Sequence, residues 1–372
     1  MSTTTRTTRT TRATCRPARL TTAAIAGTLT LALAACSSGT DADAGSEGSG
    51  DSAGSPTTVD VVVHDSFGIT DEATAAFEEQ SGYTLNIITT GDGGALANKL
   101  VLTKESPLGD VAFGIDNSFA SRAVDEGVFE PYTSPALPEG AGDLAVDDTG
   151  TLTPVDYGDV CLNVDTGWFD EAGIEAPETL EDLADPQYAD LTVVTNPATS
   201  TPGLSFLFAT IGHFGTDGYL DYWSSLTDNG LKVVEGWEDA YYTDFSASGE
   251  GDRPVVLSYA SSPAYTVSDD GTSSTTAALL DTCFRQVEYA GVLANGDNPE
   301  GAQAFVDFLL GDQFQSDIPE TMYVFPVSPD ATIPAEWETF APVPTSPIAL
   351  DPAEISANRD TWIKDWTAQV VG

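Results

Sequence analysis

Positive charge is scarce in this sequence. It has 13 lysines and arginines against 58 aspartates and glutamates, which gives a formal net charge of −45. Five of the basic residues are arginines before residue 36, so the rest of the chain holds 8 basic and 58 acidic side chains. Such a surface repels nucleic-acid phosphates and anionic lipid headgroups, so we expect neither as a partner. The charge by itself selects no ligand, because acidity also solvates proteins in salty or dry habitats.

Histidine and cysteine are also rare. The chain has two histidines, His64 and His213, and its four cysteines contain no Cys-x-x-Cys pair. Zinc and iron sites usually use imidazole and thiolate ligands in close spacing. We therefore predict no metal site and no cofactor.

Signs of enzyme chemistry are few. The sequence has no Walker-type lysine loop for nucleotide phosphates. His64, Asp65 and Ser66 provide the residue types of a hydrolase triad, but successive strand residues point to opposite faces and cannot form a relay. We predict that the chain is not an enzyme.

No apolar run reaches the length of about 20 residues that a membrane helix needs. The segment Leu20–Ala35 is apolar but short, and it follows 19 residues that are rich in Arg and Thr and contain no acidic residue. This arrangement is typical of a cleavable signal peptide, here residues 1–35. The ending Leu33-Ala34-Ala35-Cys36 resembles a lipobox, which predicts a lipid on Cys36.

The segment after this cysteine has no large apolar residue until the body begins. Residues 36–57 therefore predict a flexible tether behind the lipidated cysteine. Two fatty chains would hold the protein at the outer face of the cell membrane by its anchor alone. Cys161 and Cys283 then remain in an exported body, where a disulfide is the simplest state and two free buried thiols are the alternative.

The body alternates strand and helix patterns. Residues 58–64 are β-branched and precede a helix that Thr70 caps, and residues 83–89, 96–103 and 110–115 continue the alternation. Asn298 and Pro299 begin a further helix with an apolar stripe, and residues 358–371 have tryptophans at helical spacing. An α/β fold is the expectation.

Seven segments of the body, in order, resemble the thiamine-binding proteins of bacterial thiamine importers. They are HDSFG, GDGGALANKL, GIDNS, PVDYG, NPATSTPGLSFLF, EGWEDAYYTDF and VLSYASSPAY. The resemblance implies a two-lobed type II periplasmic-binding-protein fold with two hinge-crossing strands. It places lobe 1 at 58–158 and 291–325, and lobe 2 at 159–290 and 326–372.

The resemblance also implies a ligand site. Trp237 and Tyr265 match aromatic positions of that family, Asp92 and Gly93 match a pair that touches the ligand, and Ser200 matches a hydroxyl position. Thiamine is a flat cation, which aromatic faces and carboxylates suit. The candidate ligand-binding residues are Asp92, Gly93, Ser200, Trp237, Tyr265, Tyr323, His64, Asp65 and Asp116.

These residues also have ordinary structural interpretations, which stay open at this point. The three aromatic residues could belong to the core, and Asp65, Asp116 and Ser200 could cap helices. Ser200 begins the turn Ser-Thr-Pro-Gly, whose free N–H groups would suit the phosphate of a phosphorylated ligand.

The expected function is solute capture for an ABC importer. The monomeric protein would bind thiamine, thiamine monophosphate or thiamine diphosphate between its lobes and deliver it to a membrane permease and its ATPase. The alternatives are a binding protein for a polyamine or for iron(III), for which Tyr241 and Tyr242 supply adjacent phenols, and an exported hydrolase.

Overall fold

The structure, a computed structural model, describes residues 57–146, 149–249 and 251–372. The predicted signal peptide, Cys36 and the tether up to residue 56 lie outside the described residues, so cleavage and lipidation stay predictions. No helix within the described ranges combines the length and the apolar character that crossing a bilayer requires.

The described residues form an eleven-stranded mixed sheet. Its strands are β1 (Thr58–Val63), β2 (Thr84–Thr89), β3 (Val111–Asp116), β4 (Phe129–Glu130), β5 (Thr153–Asp165), β6 (Thr192–Thr195), β7 (Lys232–Val234), β8 (Val255–Tyr259), β9 (Thr276–Ala278), β10 (Phe284–Leu293) and β11 (Phe325–Pro326).

Helices pack against both the first and the second half of this sheet. They are α1 (Asp71–Ser81), α2 (Gly93–Thr103), α3 (Ala120–Asp125), α4 (Thr166–Ala172), α5 (Thr201–Phe214), α6 (Tyr219–Asp228), α7 (Pro299–Leu309), α8 (Asp312–Thr321), α9 (Trp337–Phe340) and α10 (Pro352–Val370).

The strand order shows two lobes joined by two long strands. The main path runs β2-β1-β3-β10-β5-β8-β6-β7. The parallel set β2-β1-β3 forms the sheet of one lobe, and the parallel set β8-β6-β7 forms that of the other. The antiparallel pair β5 and β10 passes from one set to the other. The predicted two-lobed fold with two crossing strands is confirmed.

Both lobes contain buried aromatic contacts. In the first, Phe113 of β3 belongs to a cluster with Phe305 of α7 and Phe314 of α8. In the second, Trp223 of α6 meets Trp366 of α10 edge to face at 5.3 Å between ring centroids. Aromatic pairs of this kind stabilise a core beyond their buried area.

Local signals predicted about half of these helices. Thr70 caps α1 and Gly82 ends it in the left-handed region, as the sequence predicts. Asn298 caps α7 with Pro299 at its first position. Two helices begin earlier than predicted: α2 begins at Gly93, where the side chain of Asp92 caps it, and α10 begins at Pro352 behind Asp351.

Cys161 and Cys283 form a disulfide in the structure. The cysteines lie on β5 and just before β10, so the bond ties the two crossing strands together on the side of the second lobe.

Candidate functional site

A cavity lies between the lobes, where the carboxyl ends of the parallel strands face each other. Open α/β sheets bind ligands at this position. The lining residues are His64, Asp65, Ser66, Asp92, Gly93, Thr201, Pro202, Trp237, Tyr259, Gln286, Glu288, Met322 and Val324. The free volume of the cavity is small, about 40 Å³. A ligand of the size of a vitamin therefore enters only when the lobes separate.

Asp92 forms the main contact across the cavity. It follows β2 in the first lobe, and its Oδ1 accepts from the N–H of Gly93 at 2.6 Å and from that of Thr201 at 2.9 Å. Its Oδ2 accepts from the N–H of Trp237 at 3.0 Å. Thr201 and Trp237 belong to the second lobe, so one carboxylate joins the two lobes. Burial raises the pKa of Asp92, while the N–H groups of Thr201 and Trp237 oppose that shift.

The glycine after Asp92 makes this close approach possible. A Cβ on Gly93 would lie 2.2 Å from Oγ1 of Thr201, which no side chain tolerates. Nearby, the N–H of Ala95 donates to the carbonyl of Thr199 at 2.9 Å. Backbone contact of this kind depends on small residues at the start of α2.

Trp237 provides an aromatic wall on the second lobe. It follows β7, is 8% exposed, and stacks on Tyr241 at 4.9 Å between ring centroids. Its indole Nε1 donates to Oγ of Ser258 at 2.9 Å. Tyr241 supports the indole and Ser258 fixes its orientation, so the ring is held rigidly beside the cavity.

The floor of the cavity belongs to the crossing strand β10. Nε2 of His64 lies 3.4 Å from Oε1 of Glu288, and both side chains are about nine-tenths buried. Gly114 makes room for the imidazole: its φ is +93°, and a Cβ there would lie 1.9 Å from Cδ2 of His64. The positive φ and the close approach both require glycine at this position.

Two further carboxyl groups stand beside Glu288 on the neighbouring strands. Glu288 is opposite Asp116 of β3 and Asp156 of β5 in the antiparallel ladders, so the three side chains share a face of the sheet. Asp156 is fully buried, and no N–H or hydroxyl group donates to its oxygens, so its partner is the carboxyl group of Glu288. Burial and the charge of Glu288 hold the pKa of Asp156 well above its usual range. We therefore assign the proton to Asp156 and the charge to Glu288.

Asp116 has partners of its own. Both of its oxygens accept from Oγ of Ser118, at 2.8 and 2.7 Å. Burial, which these bonds oppose, raises the pKa of Asp116 to about 7.

Five of the nine candidate residues line the cavity, namely His64, Asp65, Asp92, Gly93 and Trp237. Ser200 lies next to it as the N-cap of α5, with its Oγ accepting from the N–H of Gly203. Asp116 lies behind Glu288. Tyr265 and Tyr323 form a separate pair, with ring centroids 3.8 Å apart and a hydrogen bond between their hydroxyls.

Sequence reasoning missed the residues that the crossing strands contribute. Gln286 and Glu288 line the cavity from β10, and Asp156 lies behind them on β5. The sequence signal that could have found them is the presence of polar residues within otherwise apolar strands. Burying a carboxyl group costs free energy, so such residues usually have a function.

Comparison with known proteins identifies the family. Residues 106–346 match the model of the bacterial extracellular solute-binding proteins. The chain belongs to this family. The thiamine-binding periplasmic protein of Escherichia coli K12 is 30% identical over 301 residues, which cover 79% of this chain and 86% of that protein. Its counterpart in Brucella melitensis biotype 1 is 29% identical over 300 residues, 78% of this chain and 84% of the relative.

Solved structures agree with this assignment to the solute-binding proteins. A periplasmic thiamin binding protein superposes with a TM-score of 0.73 at 29% identity, over 84% of this chain and 96% of its own. Iron-bound HitA of Pseudomonas aeruginosa has a TM-score of 0.62 at 20% identity, over 84% and 99%, and shows a shared fold alone. The predicted family resemblance is confirmed, and the relatives support a non-enzymatic role in solute import outside the cytoplasm.

Proposed function

We propose that this solute-binding protein captures thiamine or a thiamine phosphate in the cavity between its lobes. The observation that carries the proposal is the lining of the cavity, where the indole of Trp237 faces a group of acidic side chains that includes Glu288. An aromatic face and carboxylates together suit a flat ring with a permanent positive charge. The two thiamine-binding relatives named above support the choice of this cation.

The unphosphorylated and phosphorylated ligands make different demands on the start of α5. A phosphate would bind the free N–H groups of a helix N-terminus. In the closed cavity the carboxylate of Asp92 already accepts from the N–H of Thr201, so a phosphate has to displace it or bind beside it. Affinities for thiamine and its two phosphates therefore report on the competition between Asp92 and phosphate for these donors.

Delivery completes the proposed role. A lipid on Cys36 and the tether up to residue 57 would keep the body near the membrane, where an ABC permease and its ATPase receive the ligand. Closure of the two lobes around the ligand, bending at β5 and β10, would produce the form that the permease recognises. The proposal includes no chemical step on the ligand.

The iron(III) alternative rests on Tyr241 and Tyr242. Their rings meet edge to face at 5.3 Å, and Tyr241 is committed to stacking on Trp237. The described residues contain no group of three or more His, Cys, Asp or Glu side chains with the spacing of a metal site. A polyamine remains the other cationic alternative.

Calorimetric titration of the globular body, residues 57–372, tests the proposal. Thiamine, its monophosphate, its diphosphate, spermidine and iron(III) are titrated separately into the ligand-free protein. We expect saturable one-to-one heat with thiamine or a thiamine phosphate. Heat with spermidine or iron alone, or turnover of a thiamine phosphate, contradicts the proposal and favours the corresponding alternative.

A further inference from the structure

His64 is the only basic side chain among the described residues that line the cavity. It is 8% exposed, and its Nε2 pairs with Oε1 of Glu288 at 3.4 Å. When the ring carries a second proton, the imidazolium balances this carboxylate, so a cationic ligand that binds against Glu288 would take over that role. Two positive charges in one small buried space repel each other strongly.

The groups around His64 are otherwise acidic. Glu288 faces it from β10, Asp92 from the turn before α2, and Asp65 from its own loop. Glu238, on the second lobe, also interacts with the His64 charge. Burial lowers the pKa of His64, but the negative charges outweigh burial and raise the pKa above its usual value of 6.5.

The second ring nitrogen links the protonation of His64 to closure. Nδ1 accepts from the N–H of Ser66 at 3.2 Å, a bond that only a ring without a proton on Nδ1 can make. The hydroxyl of Ser66 donates to Oε1 of Glu238 on the other lobe at 3.0 Å. In this closed arrangement the ring is therefore neutral, and it holds the loop of the first lobe in the position that contacts the second.

We propose that His64 and Glu288 form a proton–cation exchange site, at which a cationic ligand takes the place of the proton on the imidazole. The inference rests on the proposed function, since it concerns how the same cavity accepts a cation. On binding, the N–H bond on Nδ1 breaks, its proton passes to solvent, and the neutral ring accepts from Ser66. The charge of Glu288 is then balanced by the ligand.

The affinity of this site for a cation depends on pH. Below the pKa of ligand-free His64 each binding event releases a proton, so affinity for the cation rises with pH, by up to about tenfold per pH unit. Above that pKa the ring is already neutral and affinity is constant. The pKa of Asp116, about 7, lies in the same range, and deprotonation of that carboxyl would also favour a cation. A pH profile therefore needs a probe of His64 itself.

Nuclear magnetic resonance of the histidine-labelled globular body supplies that probe, because His64 and His213 are the only histidines of the chain. Each ring is titrated with and without saturating thiamine. We expect thiamine to lower the pKa of His64 by at least about one unit, with His213, which is exposed and pairs with Glu181, as the unchanged internal control. An unchanged His64 titration in the thiamine complex overturns the proposal.

Calorimetry in two buffers of different ionisation enthalpy counts the released protons. We expect about one proton per thiamine below the His64 pKa, and close to none in His64→Gln. Asp116→Asn should release protons as the unchanged protein does, whereas loss of the release in that variant assigns it to Asp116 and overturns the proposal. Thiamine heat without proton release defeats only this inference, while absence of thiamine heat defeats the proposed function and the inference with it.

Discussion

Two buried aspartates, one on the wall of the cavity and one under its floor, differ in their hydrogen-bond partners. Asp92, on the wall, is 8% exposed and accepts from three backbone N–H groups. Asp156, under the floor, is completely buried, has no N–H or hydroxyl donor on either oxygen, and pairs with the carboxyl group of Glu288. Burial raises the pKa of both groups, but only at Asp92 do donors oppose the rise.

The two aspartates are buried to a similar depth and differ in their hydrogen-bond donors, which favour the charged form of a carboxyl group. The N–H donors of Thr201 and Trp237 favour the carboxylate form of Asp92 at the place where the lobes meet, so this side chain acts as a contact between them. Asp156 keeps a proton and leaves the charge to Glu288, which lines the cavity beside His64. The same substitution at the two positions should therefore have different results.

Asp92→Asn should have the largest effect on ligand affinity. The amide has a single acceptor oxygen, and its NH₂ group would face at least one backbone N–H that now donates to the carboxylate. Hydrogen bonds to a charged group contribute about 1.5–3 kcal/mol, so thiamine binding should weaken about a hundredfold. Calorimetric titration at pH 7 measures the loss.

Asp156→Asn is the matched control for that titration. Because an amide resembles a protonated carboxyl group, this variant should keep the thiamine affinity within about threefold at pH 7. If Asp92→Asn and Asp156→Asn lose the same thiamine affinity, the different hydrogen bonds of these two side chains do not matter for binding.

Trp237→Ala should weaken thiamine at least about tenfold, because it removes the aromatic face of the wall. Tyr265→Ala should have a smaller effect, since Tyr265 is 53% exposed and stands outside the cavity lining. Calorimetry on both variants, with thermal melting to verify folding, makes the comparison. A larger loss at Tyr265 would return the main aromatic contact to the Tyr265–Tyr323 pair.

The smallest expected effect is that of Asp156→Asn on the free energy of unfolding. In the unfolded chain Asp156 ionises above a pH of about 4, whereas in the folded protein it keeps its proton because its pKa is raised. Folding then takes up a proton, so the contribution of Asp156 to stability falls as pH rises from about 4 through the folded-state pKa. Asn has no proton to lose, so Asp156→Asn should be more stable than the unchanged protein by about 1 kcal/mol or more at pH 8.

Denaturant unfolding at pH 5 and pH 8 measures this difference. The advantage of Asp156→Asn should shrink at pH 5, where the unfolded chain is partly protonated. A variant that is less stable than the unchanged protein at both pH values would place a charge, rather than a proton, on Asp156.

Much of the cavity wall was predictable from the sequence, because turns after strands have local signals. His64, Asp92 and Trp237 each follow a strand and lie beside turn residues, and the ordered resemblance to one family aligned them. The N-cap role of Ser200 was equally readable from Ser-Thr-Pro-Gly.

The floor was not predictable in the same way. Glu288 and Asp156 come from parts of the chain about 130 residues apart, and only the pairing of β5 with β10 brings them together. Strand register is set by the whole sheet, so no local pattern indicates that two acids will be opposite each other. The position of Tyr265 and Tyr323 outside the cavity lining depends in the same way on how the lobes meet.

A crystal structure of the globular body grown with thiamine tests directly whether the cavity between the lobes is the binding site. We expect one thiamine between the lobes, with a ring against the indole of Trp237 and its positive charge within reach of Glu288. Thiamine bound elsewhere on the surface, or a closed cavity without ligand at saturating thiamine, would contradict it.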